Sequence, residues 1–146
     1  MQDRIKSLLL VGLQFLFIGL LVAGSSLQNI NLAATTVILI STLLVLWAVF
    51  TMQKSKLRIT PEPAHDATLV TNGPYRFIRH PMYTAILLGC LGLLITQFTW
   101  VRLLVFLSLA IVLITKLTWE ESMLVQKFEA YKKYKNRTSR LIPFLF

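Results

Sequence analysis

The sequence predicts an all-α integral membrane protein with about four transmembrane helices, a C-terminal helical hairpin and an amphipathic tail helix. Hydrophobic residues make up 55% of the 146 residues and charged residues only 14%, and the mean hydropathy is +0.68. The apolar residues lie in long runs, close to the roughly 20 residues that an α-helix needs to cross about 30 Å of hydrocarbon. Residues 1–146 are therefore expected to form one membrane-embedded domain.

Four runs are predicted to span the membrane: residues 7–24, 32–52, 80–96 and 100–119. The first contains one amide, Gln14, and it is expected to be a span because its apolar stretch exceeds the roughly 7 to 15 residues of a signal-peptide core. The third is short, at about 17 residues. The fourth carries Arg102 near its start and Lys116 near its end, and a turn at residues 96–99 would join it to the third as a hairpin.

The distribution of the formal charge of +9 predicts the orientation of the chain. Lysine and arginine precede the first span, occupy the loop 53–79 and follow the fourth span, whereas residues 25–31 have none. Because these residues favour the cytoplasmic side, both termini and the loop 53–79 are expected there, in a bacterial plasma membrane or the endoplasmic reticulum. This bias and attraction to anionic membrane lipids account for the charge, so no nucleic-acid partner is expected.

Polar and aromatic residues crowd the start of the third span. In residues 71–90, TNGPYRFIRHPMYTAILLGC, the Asn-Gly-Pro sequence indicates a turn before Tyr75, and Pro81 suits the first turn of a helix. Arg76 and Arg79 have two interpretations, as interface anchors whose long side chains reach the headgroups or as parts of a site. Tyr75 and Tyr83 also have two interpretations, as parts of a site or as members of the aromatic belt that membrane proteins place at the interface.

Two adjacent glutamates, Glu120 and Glu121, lie at the end of the fourth span. At about 1.5 Å per residue from Trp100, they arrive after roughly 30 Å, at the same boundary as the start of the third span. A carboxylate at the bilayer centre costs about 2.5 to 3.5 kcal/mol, so the pair is expected at the interface, in a wet cavity or opposite cations. The candidate cations are Lys116, Arg79 and His80.

Two stretches and the hairpin between them resemble a known family. These are TLVTNGPYRFIRHPMY, residues 68–83, and EESMLVQKFEAYKKYKNRTSRLIP, residues 120–143. They are similar to the isoprenylcysteine carboxyl methyltransferases, a branch of a wider group of membrane methyltransferases that includes phospholipid N-methyltransferases. The combination of G-x-Y, R-H-P-x-Y and a downstream E-E is more specific than any one of these motifs.

The resemblance implies an enzyme that takes S-adenosylmethionine from the cytosol and methylates a lipophilic acceptor, a prenylated cysteine or a lipid, that arrives through the bilayer. The implied cofactor contacts are Thr68, Leu69, Val70, Tyr75, His80, Pro81, Met82, Tyr83 and Glu120. The resemblance places Lys116 on the acceptor side, and the candidate catalytic residues, with Glu121 and Arg79 chosen for their residue chemistry, are Lys116, Glu121 and Arg79. No metal site is expected.

Two departures from the family affect the acceptor more than the cofactor. Lys116 stands where the family has an arginine on the acceptor side, and lysine cannot form the same bidentate fork. Ala67 stands where eukaryotic members carry a histidine, with His65 two residues earlier.

The residue types agree with such a site independently of the resemblance. S-adenosylmethionine requires a carboxylate for its ammonium, a cationic or N–H donor for its carboxylate, and aromatic faces. The chain supplies these near one boundary as Glu120, His80 with Arg79, and Tyr75 with Tyr83. It has no G-x-G-x-x-G sequence, so a Rossmann nucleotide site is not expected.

Three interpretations of the function stay open. The first is carboxyl O-methylation of an isoprenylcysteine-type acceptor, which needs no strong base. The second is methylation of a phospholipid amine or a small thiol, and an amine would need a base such as Glu121 or His80. The third is a noncatalytic four-helix scaffold or partner subunit, whose boundary charges serve only topology. The sequence does not indicate an oligomeric state.

The cytoplasmic tail, residues 120–146, is predicted to contain an amphipathic helix on the headgroup layer. Apolar residues recur there at helical spacing, with lysines between them, at Leu124, Val125, Phe128 and Tyr131. The tail is interpreted either as a membrane anchor or as a lid, in which Arg137 or Arg140 reaches back to the site.

Overall fold

The protein is all-helical, as the sequence predicts. The computed structural model describes residues 2–25, 31–52 and 69–143. Its elements, in chain order, are α1 (Gln2–Ala23), α2 (Leu32–Met52), a short 3-10 helix (Gly73–Arg76), α3 (Pro81–Thr96), α4 (Trp100–Lys127) and α5 (Tyr131–Lys135). Within these described ranges no strand is formed, and one isolated parallel bridge joins Ile78 to Ser139.

Three of the helices are long and apolar enough to cross a membrane. They cover Ile5–Ala23, Leu32–Met52 and Trp100–Lys127, and α3 is a shorter apolar helix of 16 residues. Their outer faces expose large apolar side chains such as Leu8, Leu43 and Phe50, which lipid would cover. The protein is therefore an integral membrane protein. The predicted bounds of α2 are confirmed, and α4 continues beyond the expected end at residue 119 to Lys127.

The helices pack in two pairs, α2 along α3 and α1 along α4. Small residues let α2 and α3 approach closely. The Ser41 hydroxyl donates to the Ala85 carbonyl at 2.7 Å, and a Cβ atom on Gly92 would lie only 2.6 Å from Ile38 Cγ1. A core cluster then joins α1, α3 and α4 through Leu21, Cys90, Leu109 and Leu113.

Arg102 ties three chain segments together at the end of the bundle opposite the glutamates. Its guanidinium donates to the carbonyls of Gln97 at 2.7 Å, Leu21 at 2.9 Å and Leu93 at 3.0 Å. Leu21 and Leu93 lie in the last turns of α1 and α3, where helical carbonyls lack partners within their own helix. The buried arginine therefore caps two helices at once.

The turn predicted at Asn-Gly-Pro is confirmed as the entry to the 3-10 helix. Gly73 has φ +58°, a left-handed conformation that side chains disfavour. A Cβ atom at this position would also lie 2.5 Å from Thr51 Oγ1, at the end of α2. Glycine thus allows the turn to press against α2 and to bring Tyr75 into a buried position.

The tail is less helical than its apolar spacing suggests. The extended backbone of Phe128 (φ −122°, ψ 112°) ends α4, and only the five residues of α5 resume a helix. The chain then runs beside the segment that leads into α3. Arg79 N donates to Ser139 O at 2.8 Å, and His80 N donates to Arg140 O at 3.1 Å. Backbone pairing with this segment satisfies polar groups of the tail that a longer helix would have satisfied internally.

Candidate active site

The candidate site lies where the segment before α3, the C-terminal part of α4 and the tail meet. Arg79 and His80 precede α3, and Glu120 and Glu121 project from α4. The two pairs are about 40 residues apart in sequence, but an ion pair from Arg79 to Glu121 and contacts of His80 with both glutamates join them. The expectation that both span ends share one boundary is therefore confirmed.

Glu121 is the centre of this cluster. Its side chain is only 3% exposed, and Arg79 Nε donates to Oε1 at 2.6 Å. His80 Nε2 lies 3.4 Å from Oε1, while Lys135 Nζ and Arg140 Nε lie 3.6 and 3.4 Å from Oε2. Arg140 reaches the site, as the lid interpretation of the tail expects, whereas Lys135 was not anticipated as a partner of Glu121. The carboxylate of Glu121 and the guanidinium of Arg79 are both buried, and their attraction offsets the free energy lost when each charge leaves water. Each of the two charges therefore depends on the other.

Arg79 connects Glu121 to the tail. One of its terminal nitrogens, Nη1, donates to the carbonyls of Lys135, at 2.9 Å, and of Thr138. The residue is 8% exposed, so it does not extend to the headgroups as an anchor would. Arg76, in contrast, is exposed and fits the anchor interpretation.

Glu120 faces a more open environment. The Tyr83 hydroxyl donates to Oε2 at 2.9 Å, and His80 Nδ1 lies 3.8 Å from the same oxygen. The His80 and Tyr83 rings are stacked, with centroids 5.4 Å apart. Because the Glu120 side chain is 24% exposed, it keeps access to water or to a soluble ligand.

Lys116 does not pair with the glutamates, contrary to its selection as a candidate counter-ion. Its ammonium donates to Gln14 Oε1 of α1 at 2.8 Å and lies 5.4 Å from the centre of the Tyr83 ring. The residue is 1% exposed, inside the apolar part of α4. The physical reason is that Gln14 of α1 lies next to Lys116, so its amide oxygen can accept from the buried ammonium.

Three tyrosines close the tail side of the cluster. Tyr134 donates to the Tyr75 carbonyl at 2.6 Å, and the rings of Tyr131 and Tyr134 meet edge to face at 5.7 Å. The Tyr75 hydroxyl donates to Met52 Sδ at 3.2 Å. Burial first, and then the negative charge of Glu121, raise the pKa of Tyr131, and burial likewise raises the pKa of Tyr75 and Tyr134. All three are therefore neutral hydroxyls at physiological pH.

Several buried polar atoms of the cluster have no hydrogen-bond partner among the described residues. They are His80 Nε2, Glu121 Oε2 and Tyr131 Oη. Glu121 lies 3.4 to 3.6 Å from His80, Lys135 and Arg140. These contacts are electrostatic and are not aligned as hydrogen bonds. A buried polar atom left unpaired costs about 1 to 3 kcal/mol, so this group of donors and acceptors is suited to a polar ligand.

The other predicted cofactor contacts are either apolar residues or lie outside the described residues. Pro81 is buried, and Leu69, Val70 and Met82 are half-buried near the same segment. Thr68 lies outside the described residues, as do His65 and Ala67. Across the described parts of the chain, no group of three or more His, Cys, Asp or Glu side chains is arranged to hold a metal ion.

Sequence reasoning missed three contributors to this region. Gln14 was noted only as an amide in a span, and Tyr131 was taken as part of a membrane-facing stripe. Lys135 belongs to a basic tail in which no single lysine stands out. The signal for Gln14 was present, because an amide inside an uncharged span requires a partner.

Comparison with known proteins agrees with this architecture. Residues 30–131 match the family model described as phospholipid methyltransferase. The cobalt-zinc-cadmium resistance protein CzcN of Cupriavidus metallidurans is 37% identical over 79 residues, which cover 53% of this chain. The matched stretch spans only 37% of that relative's length. The family match confirms the resemblance to the wider group of membrane methyltransferases and covers more than half of the chain, so this protein belongs to the phospholipid methyltransferase family.

Proposed function

We propose that this protein is an S-adenosylmethionine-dependent methyltransferase that acts on a lipophilic acceptor at the cytoplasmic face of the membrane. One observation carries the proposal. The polar cluster contains buried atoms without hydrogen-bond partners among the described residues and a partly exposed carboxylate, that of Glu120. Tyr83 contacts both this carboxylate and the ammonium of Lys116, which is buried in the span. Such an arrangement is suited to a charged soluble cofactor on one side and a lipid-dissolved acceptor on the other.

The side chains of the cluster fit the cofactor's amino-acid end. Glu120 and the unpaired Oε2 of Glu121 can accept from an ammonium, and the unpaired hydroxyl of Tyr131 can donate to a carboxylate. Tyr75 and Tyr83 supply aromatic faces for a sulfonium or an adenine. When bound, the cofactor supplies a methyl group whose carbon bonds to an acceptor lone pair while the carbon–sulfur electron pair returns to sulfur.

The protein's own contribution is positioning and exclusion of water. The tail pairs with the segment before α3 and is held by Arg79, so it covers the cluster from the water side. Well-oriented reactants in a water-poor site account for a large part of the acceleration of such transfers. Lys116 then lies on the membrane side, where an acceptor would approach.

The acceptor that we propose first is an isoprenylcysteine-type carboxylate. A carboxylate carries no proton to remove, and the buried ammonium of Lys116 would favour its negative charge. A phospholipid amine is the second candidate, because the family description names phospholipids. An amine must lose a proton, and His80 or Glu121 would have to accept it. A small thiol would behave as the carboxylate does once ionised.

The proposal is tested by equilibrium binding of S-adenosylmethionine to the purified protein in nanodiscs. Glu120→Gln and His80→Ala should each weaken binding by tenfold or more, which is about 1.4 kcal/mol. Arg76→Gln, at an exposed position, is the matched control and should bind as the wild type does. If the intact wild type does not bind, the protein is a noncatalytic scaffold.

The choice of acceptor is tested by transfer of labelled methyl groups in the same nanodiscs. A panel of N-acetyl-S-farnesylcysteine, phosphatidylethanolamine and a long-chain thiol covers the three classes. Labelling of the farnesylcysteine carboxylate above the other two supports the first candidate. Preferential labelling of phosphatidylethanolamine would replace it with the second.

A further inference from the structure

The first helix carries a buried stripe of side chains that includes two polar residues, Ser7 and Gln14. Ser7, Gln14 and Leu21 are spaced seven residues apart and are 1%, 5% and 0% exposed, whereas their neighbours Leu8, Phe15 and Val22 face outward. Seven-residue spacing places side chains on one face of a helix. Polar side chains are rare at this depth in a membrane unless they serve a partner or a ligand.

Gln14 is in direct contact with the proposed acceptor side of the site. Its Oε1 accepts from Lys116 Nζ at 2.8 Å, across 102 positions of sequence. Lys116 lies under the Tyr83 ring, and Tyr83 donates to Glu120 at 2.9 Å. A polar path therefore runs from α1 to the carboxylate of the cluster. α1 lies before the residues 30–131 that match the family, so the family match assigns Gln14 no role.

The ammonium of Lys116 is held in place but not neutralised. It has three N–H donors, and among the described residues Gln14 Oε1 is its one hydrogen-bond acceptor. Neither Glu120 nor Glu121 forms an ion pair with it in the described site. A neutral amide can orient an ammonium without cancelling its charge. Two of the N–H donors of Lys116 are therefore not used by hydrogen bonds among the described residues.

We propose that Gln14 is a positioning residue that aims the Lys116 ammonium at an anionic reacting group of the lipophilic acceptor. The inference rests on the proposed function and adds α1 to the acceptor side of the site. A neutral amide at this position leaves the charge of Lys116 available, whereas a carboxylate would consume it. The side chain of residue 14 thus sets the preference between anionic and neutral acceptors.

Gln14→Glu is the decisive variant, because it preserves size and the contact with Lys116 while neutralising the ammonium internally. The probes are N-acetyl-S-farnesylcysteine and its uncharged carboxamide, measured by equilibrium binding in nanodiscs without cofactor. We expect the wild type to favour the carboxylate by tenfold or more and Gln14→Glu to lose that preference. The matched control is Gln126→Glu, the same change at an exposed position of α4.

Steady-state kinetics separate positioning from a purely structural role. Gln14→Glu and Gln14→Leu should raise KM for the anionic acceptor by tenfold or more, and S-adenosylmethionine affinity should stay unchanged. Lys116→Arg should retain the anionic preference, and Lys116→Met should abolish it. A preference that is absent in the wild type, or that survives Gln14→Glu, overturns the inference. Because the probes bind without cofactor, failure of S-adenosylmethionine binding would instead count against the proposed function.

Discussion

Replacing Glu121 with glutamine removes one charge from the centre of the ion cluster while keeping the side-chain volume. The carboxylate contacts Arg79 at 2.6 Å, the cationic groups of Lys135 and Arg140 at 3.6 and 3.4 Å and the His80 imidazole at 3.4 Å, and its side chain is 3% exposed. Glutamine can still accept one hydrogen bond from Arg79, but it leaves that buried guanidinium without a counter-charge. We therefore expect Glu121→Gln to destabilise the fold substantially.

The magnitude follows from the burial of the pair. Removing one partner of a buried ion pair costs about 3 to 5 kcal/mol, and the retained hydrogen bond favours the lower end of that range. A loss of about 3 kcal/mol lowers Tm by roughly 10 °C in a domain of this size. Glu120 is 24% exposed and accepts one hydrogen bond, from Tyr83. Glu120→Gln should therefore cost about 1 kcal/mol or less.

The assay is thermal unfolding in detergent, followed by tryptophan fluorescence, for Glu121→Gln, Glu120→Gln and the exposed control Glu129→Gln. We expect Glu121→Gln to lower Tm far more than Glu120→Gln does, and Glu129→Gln to leave Tm almost unchanged. If Glu121→Gln melts within about 2 °C of the Glu129 control, the buried cluster does not stabilise the fold and the reasoning fails.

Four further outcomes are expected. Gly92→Ala should lower stability by about 1 to 3 kcal/mol through overpacking against α2, whereas Gly19→Ala, with nothing within 4 Å, should be neutral in the same melts. Arg102→Met should destabilise by about 3 kcal/mol, because three carbonyls lose their donor, and a variant that melts normally would contradict the cap. Deleting residues 137–146 should abolish S-adenosylmethionine binding if the tail is a lid; normal binding would leave it an anchor. Tyr131→Phe should lose about fivefold or more in cofactor affinity with little change in Tm, and unchanged affinity would remove its hydroxyl from the proposed site.

The shared boundary of Arg79, His80 and the glutamates could be predicted because it depends on helix length alone. A helix rises about 1.5 Å per residue, so counting from the turn at residues 96–99 places the two groups about 24 and 30 Å from the turn, at the same end of the hairpin. The specific pairing could not be predicted in this way. Arg79 and His80 reach Glu121, while Lys116 turns to Gln14, and this choice depends on how α1 packs against α4.

The tail shows the same limit. Its apolar spacing predicted a helix on the membrane surface, but Tyr131 is buried, and the backbone of Ser139 and Arg140 pairs with the segment before α3. Local spacing cannot distinguish a lipid-facing side chain from one buried against distant parts of the same protein. The backbone of the tail finds hydrogen-bond partners in the segment before α3: the carbonyl of Lys135 accepts from Arg79, which lies 56 residues earlier in the chain.

The sequence by itself determined the class, the spans and the end of the molecule at which chemistry is concentrated. These follow from the cost of exposing charge and backbone to hydrocarbon, which acts on each segment independently. Only the tertiary structure decided which polar groups meet: Glu121 with three cations and His80, Lys116 with Gln14, and Arg102 with the ends of two helices. Such contacts depend on the rotation and depth of one helix against another, and no single segment of sequence contains that information.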